Sequence, residues 1–259
     1  MVAVGIHEGG IVMTPATVLL IHGFLDDASV WDGVVECLAG EVDAVRYDLP
    51  GFGSRSRSIG DARAVTLESL ATEAADVIAG IDGPVIVVAQ SLGTQIAELV
   101  AAQHPDRVRG LVLLTPVPLG GTQLPDEVVA PFRALGGDRA AQRHLRAELS
   151  PHLDEELLDR LADIGAPVAR EVTAHYVDVW NNGISDTPVT SAYRGPVMII
   201  RGSADGFVTE QLVDTISPRF DQPDVNVIDK GGHWVHAEYA GTVATLILDF
   251  IDAIEEVAK

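Results

Sequence analysis

The sequence predicts an α/β protein: an open, mostly parallel, doubly wound sheet with helices on both faces and one helical insertion. Three observations carry this expectation. Short runs of β-branched residues and leucine recur, each followed by a polar turn and then a stretch with helical periodicity, the pattern of buried strands joined by crossover helices. The alternation stops at about 117 and resumes after 190, and the residues between are rich in helix formers and charge. The 259 residues, 47% of them hydrophobic, suffice for one large domain with a buried core, while no apolar run approaches the ~20 residues that span a bilayer.

Taken in order, residues 2–6 and 10–13 are short β-prone pieces, expected as edge strands. Thr17 to Ile21 reads as a buried strand ending at His22 and Gly23, and Ser29 to Leu38 as a helix capped from the Asp26 to Ser29 region. Val42 to Tyr47 is the next strand. It runs into the turn cluster Asp48 to Gly53, and Ser54 to Ser58 reads as a mobile surface loop. Thr66 to Ala79 is a helix with its apolar stripe at Leu67, Leu70, Ala74, Val77 and Ile78. Val85 to Ala89 is the central strand, followed by a turn through Ser91 and a helix over Gln95 to Ala102; Arg107 to Leu114 is another strand. Four helical patterns fill the insertion, near Asp126 to Leu135, Ala140 to Leu149, Glu155 to Ile164 and Val168 to Trp180. Strands return at Pro196 to Ile200 and Asp224 to Ile228, each followed by a helix, Thr209 to Ile216 and Ala240 to Val257. The expected division is a core of residues 1–116 and 191–259 with a helical cap of residues 117–190.

Composition narrows the function classes. A net charge of −21 argues against nucleic acid and anionic membranes, because an acidic field repels polyanions. The expected partner is a small-molecule substrate; oligomeric state is not set by the sequence. The first residues carry no basic region followed by a long apolar stretch, so the cytoplasm is the expected compartment. One cysteine, Cys37, leaves no intrachain disulfide, and its place in a helical pattern suggests a small core residue. No His, Cys and carboxylate set has metal-ligand spacing, so no metal is expected.

In a sheet of this kind ligands bind beyond the carboxyl ends of the strands. The polar residues there are His22, Asp48, Ser91, Thr115, Asp205 and His233. Ser91 stands at a strand-to-helix turn tight enough to need small residues two before and two after it, a need met by Ala89 and Gly93. A serine N-cap on a buried helix is the plain alternative. A serine hydroxyl becomes a nucleophile beside a base that a carboxylate orients, and Ser91, Asp205 and His233 supply that set. Asp205 has a turn residue as its plain alternative, and His236 competes with His233 for the base.

The order Ser91, Asp205, His233 resembles that of the α/β-hydrolase family, and the likeness covers nearly the whole chain. His22-Gly23-Phe24 looks like the family's oxyanion loop, Asp48 to Ser54 like its fourth-strand turn, and Ala89 to Gly93 like its nucleophile turn, with Ala89 where glycine is usual. Pro105 to Val108 resembles the lead into its sixth strand, Gly202 to Asp205 its acid turn, and Gly232-His233 through Glu238 its histidine loop. The resemblance implies that Ser91 attacks an acyl carbon, His233 takes its proton and Asp205 orients His233. The backbone N–H groups of Phe24 and Leu92 would then face the oxyanion. His22 reads as structural, His104, His144 and His152 as helix-end or solvated residues, and Trp31 as core.

Topology suggests a small to medium apolar pocket roofed by the cap, lined from Leu25, Leu119, Leu124, Tyr176, Trp180, Phe207, Val208 and Trp234. The expected activity is a cofactor-free serine hydrolase acting on a carboxylic ester or lactone of a small apolar molecule through an acyl-serine. Other readings stay open: carbon–carbon hydrolases, menaquinone-synthesis lyases and perhydrolases share the triad, and a ligand-binding receptor can keep this fold. Dehalogenases and epoxide hydrolases place aspartate at the Ser91 position. The lyases carry an arginine four past the nucleophile, where this chain has Gln95.

Overall fold

The computed structural model describes residues 16–56 and 60–257. The expected strands before Thr14 lie outside the described residues, as do Arg57 and Ser58. Among the described residues six strands form one sheet, β1 (Thr17–Ile21), β2 (Asp43–Arg46), β3 (Val85–Gln90), β4 (Val108–Leu114), β5 (Val197–Gly202) and β6 (Asp224–Ile228). Every described pair is parallel, in the order β2-β1-β3-β4-β5-β6. The helices are α1 (Asp32–Leu38), α2 (Leu67–Ala79), α3 (Leu92–Gln103), α4 (Asp126–Arg133), α5 (Arg139–Leu149), α6 (Glu155–Gly165), α7 (Arg170–Asn182), α8 (Glu210–Ile216), α9 (Val235–Glu238) and α10 (Ala240–Val257).

Both sheet faces are apolar because successive side chains of a strand point to opposite sides. Leu19, Ile21, Val85, Val87, Leu111, Leu113, Val197 and Ile199 pack into one layer with α2 and α3. Val18, Leu20, Ile86, Val88, Val112, Leu114, Met198 and Ile200 pack into the other, with α1 and α10. This two-sided burial is why the central strands read as unbroken apolar runs rather than as alternation. Among the described residues no helix is long and apolar enough to cross a membrane.

The chain turns one way from β1 to β2 and the other way to β3, so the carboxyl ends of β1 and β3 bound a topological switch point. His22, Gly23 and Phe24 leave one side of it and Ser91 the other. The helices α4 to α7 lie between β4 and β5 in the chain. Gln95, one helical turn past Ser91, holds both ends of that segment: its amide Nε2 donates to the carbonyls of Pro118 (2.8 Å) and Trp180 (3.2 Å).

Three local expectations change. The segment after Gly53 begins as a fastened 3-10 turn rather than as a free loop: Ser54 N and Oγ donate to Asp48 Oδ2 (2.8 and 2.6 Å), and Arg55 pairs with Glu73. The first helix opens with a 3-10 turn over Ala28–Trp31, capped by Asp27, which accepts from Ser29 N. Cys37 is exposed, since Val34 and Leu38 take the buried side of α1.

Candidate active site

Ser91 follows β3 directly and has φ 51° and ψ −123°, a left-handed backbone that a serine adopts only where its surroundings impose it. Two contacts do so. Its N–H donates to Leu114 O at 3.0 Å, and its carbonyl accepts from Thr94 N (2.8 Å) and Thr94 Oγ1 (2.6 Å). Gly93 is required because a Cβ there would stand 2.8 Å from Ile21 O and 2.9 Å from His22 O. Ala89 needs no such exemption: it sits within β3, in register with Ile21 and Leu113, and is not among the positive-φ residues. Its methyl is therefore accommodated where the resemblance led one to expect glycine.

The sheet edge brings Ser91, His233 and Asp205 together. His233 Nδ1 stands 2.9 Å from Asp205 Oδ2 and its Nε2 3.1 Å from Ser91 Oγ. An ionised carboxylate only accepts, so the Nδ1 proton points at Asp205 and Nε2 is left to accept from the serine. Asp205 Oδ1 also accepts from Phe207 N (2.8 Å) and Val208 N (2.9 Å). Burial opposes ionisation of Asp205, but the electrostatic pull of the His233 ring, the bond to it and these two N–H groups outweigh it and hold the carboxyl below its usual range. With Ser91, Asp205 and His233 exposed by only 7%, 5% and 5%, bulk water screens the chain of bonds little.

The histidine loop is fixed from several sides. His233 O accepts from Gln90 Nε2 (3.1 Å) and Thr115 Oγ1 (3.2 Å), and Glu238 accepts from Gly232 N, which accounts for the spacing between that glycine and that acid. His236 is a core residue, fully buried and packed at a tilt against Trp31, 4.4 Å between ring centroids. His22 Nε2 accepts from Leu49 N (2.9 Å) and Nδ1 donates to Gly23 O (2.8 Å), so it braces the turn between Gly23 and Leu49. A Cβ on Gly23 would meet Ser91 Cβ at 3.1 Å, which places the His22-Gly23-Phe24 turn against the serine. Neither Phe24 N nor Leu92 N has a hydrogen-bond acceptor among the described residues.

A model described as the alpha/beta hydrolase family matches residues 18–246. The chain belongs to the alpha/beta hydrolase family. It is 28% identical over 258 residues to an esterase of Mycobacterium tuberculosis, covering 91% of this chain and 82% of that one. A pimeloyl-[acyl-carrier protein] methyl ester esterase of Neisseria meningitidis is 26% identical over 249 residues, covering 91% and 92%. Among solved structures, a bromoperoxidase from Bacillus anthracis superposes with a TM-score of 0.80 at 19% identity, covering 92% of each chain.

In this alpha/beta hydrolase a cavity of about 30 Å³ opens onto Ser91, lined by Phe24, Phe132, Leu145, Leu149, Trp180, Phe207, His233 and Trp234. Rings pack edge to face around it, Trp180 at 5.7 Å from Phe207 and 5.9 Å from Phe132. Of the expected pocket residues, Trp180, Phe207 and Trp234 line it, and Phe24 joins them through its ring. Leu25, Leu119, Leu124, Tyr176 and Val208 do not. Leu25 is packed beneath its turn, and Val208 belongs to the core behind Asp205. Leu119 and Leu124 pair with the far end of the inserted segment, through Ile184 N and the Asn181 amide. The Tyr176 hydroxyl reaches Pro50 O at 2.7 Å and its ring meets Phe52. Sequence reading missed Phe132, Leu145 and Leu149; their place on apolar helical stripes was visible, but not which stripe faces Ser91. His175 bonds Val65 O and is also remote from the cavity.

Proposed function

We propose that this protein is a serine hydrolase that cleaves a carboxylic ester of a small, apolar, uncharged molecule through an acyl-serine. The observation that carries the reading is the continuous chain of bonds from Ser91 Oγ through His233 to Asp205. His233 Nε2 takes the Ser91 proton as Oγ attacks the carbonyl carbon, and Asp205 stabilises the imidazolium that forms. The N–H groups of Phe24 and Leu92 face the developing oxyanion, each donor of this kind being worth about 3 kcal/mol. His233 then returns the proton to the leaving alcohol, and water resolves the acyl-serine by the same steps in reverse.

The cavity lining supports an uncharged substrate, since among the described residues His233 is the one ionisable side chain in it. The relatives named as esterases support the cleavage of an ester. Lactones, which open by the same steps, belong to this reading. Gln95 spends its donor on the carbonyls of Pro118 and Trp180, which argues against the lyases that carry arginine there. The helices α4 to α7 act as a cap over the Ser91 end of the sheet.

The test is turnover of short p-nitrophenyl esters, lactones and a meta-cleavage diketone side by side. Sustained ester hydrolysis, lost in a folded Ser91→Ala variant, with a fluorophosphonate probe attached at Ser91, is the expected result. A single slow burst would favour a receptor, and labelling at another residue would reassign the nucleophile.

A further inference from the structure

The helix α5 touches both halves of the site. At its carboxyl end, Leu149 O accepts from His233 N (2.8 Å) and Ser150 Oγ accepts from Trp234 N (2.8 Å). The approach is close enough that a Cβ on Gly232 would stand 2.4 Å from both Leu149 O and Ser150 Cα. One turn earlier is Arg146, with no exposed surface. Its Nη1 donates to Asp26 Oδ1 (2.7 Å) and its Nη2 to Leu25 O (2.8 Å). The guanidinium lies over the Trp234 ring, 4.6 Å from the centroid, and the Trp234 indole donates to Asp26 Oδ2 at 2.8 Å. Arg146, Asp26 and Trp234 thus close a ring of contacts between the residues just past Phe24 and the residue just past His233.

Stability alone is a weak reason for this ring. A buried ion pair loses hydration on both partners, and apolar side chains of similar volume often hold such elements together as well or better. What a guanidinium adds is direction: two parallel N–H arms fix the carboxylate and the carbonyl at set angles. One of these targets is the carbonyl of Leu25, a branched residue at φ 67°, where the backbone needs outside support.

We propose that Arg146 is a positioning residue: through Asp26 and Leu25 O it sets the turn that carries the Phe24 N–H, so the oxyanion site is complete only while α5 is docked. The proposal rests on the hydrolase reading above. Gln90 and Thr115, neither of them on α5, hold His233 O, so loss of Arg146 acts first on the oxyanion turn and leaves the base anchored.

The experiment compares Arg146→Met combined with Asp26→Asn, which strands no charge, and Arg146→Lys, which keeps the ion pair but not the fork. Kinetics on p-nitrophenyl acetate are read beside affinity for a trifluoromethyl ketone, whose serine adduct places an oxyanion at the Phe24 and Leu92 N–H groups. The double variant is expected to lose about 10- to 100-fold in kcat with KM changed by less than about 3-fold, the range for a displaced oxyanion donor. Ketone affinity should fall by a similar factor, the acid limb of the pH profile should stay in place, and Arg146→Lys should fall between the two. A folded double variant with wild-type kcat and ketone affinity overturns the proposal, as does a lower kcat with an unchanged ketone affinity. If the double variant does not fold, Arg146→Lys decides by the same two readouts. Wild-type protein without Ser91-dependent ester turnover would instead defeat the hydrolase reading, and this proposal with it.

Discussion

His233 and His236 are three residues apart and have opposite environments. His233 lies between a hydroxyl and a carboxylate; His236 is sealed against Trp31, and burial lowers its pKa to about 4, so it stays neutral where an ester is hydrolysed. These contacts favour His233 as the proposed base. His233→Ala should abolish turnover, and Asp205→Asn should lower kcat by orders of magnitude with a smaller effect on KM, because the lost interaction strengthens as the imidazolium forms. His236→Phe, which keeps a ring against Trp31, should retain most of the activity per folded molecule. For the wild type, kcat/KM should fall at acid pH along one titration as the base is protonated. Steady-state kinetics on the three variants checks the assignment; a dead His236→Phe beside an active His233→Ala would reverse it.

At the scale of elements, α4, α5 and α7 each send side chains to the Ser91 cavity: Phe132 from the first, Leu145 and Leu149 from the second, Trp180 from the third. The space they leave at Ser91 is narrow, so longer acyl groups press against these side chains. Trp180→Ala and Phe132→Ala should therefore raise rates on longer acyl chains relative to acetyl by about 10-fold or more, since each pocket methylene is worth ~1–3 kcal/mol. A p-nitrophenyl ester series from acetate to octanoate measures this directly. A profile unchanged from wild type would remove the two rings from the acyl site.

Across the whole molecule, the buried His236 and His22 weaken the fold in acid, and Glu238, whose carboxyl pKa is pushed up by burial, acts in the opposite direction. The unfolded chain binds a proton at His236 near the ordinary value of 6.5, whereas the folded chain does so only near 4. Between those values the unfolded state holds more protons, so stability is full above about pH 6.5 and is lost as the pH falls toward 4. The shift corresponds to about 3 kcal/mol from this one residue. His22, lowered by its own burial, acts in the same direction, and Asp205, held below its usual range, withdraws its contribution only at lower pH. The groups around His236 act on it too: Asp26 favours its charged form, and His233 and Arg146 oppose it. Urea unfolding at a series of pH values should show stability rising from pH 4 to 6.5 in the wild type, with a shallower rise in His236→Phe. Equal slopes in the two proteins would place the acid sensitivity elsewhere.

The sequence by itself determined the parallel α/β sheet, because strands buried on both faces leave continuous apolar runs and crossover helices leave 3.6-residue stripes. It also determined the order of Ser91, Asp205 and His233, since each follows a recognisable strand and the short spacing from Gly232 to Glu238 marks the histidine loop. Only the tertiary structure decided which inserted side chains face Ser91. A stripe on α4 or α5 shows that a side is buried, not what it is buried against, so Phe132, Leu145 and Leu149 were missed and Leu119, Leu124 and Tyr176 were placed in the pocket. The same limit let Cys37 pass for a core residue, because one helical turn holds both the buried Val34 and the exposed thiol. Arg146, Asp26 and Trp234 lie furthest from local reading. They meet across 120 and 208 residues of chain, and no short-range pattern encodes a contact that exists only once α5 has closed over the sheet.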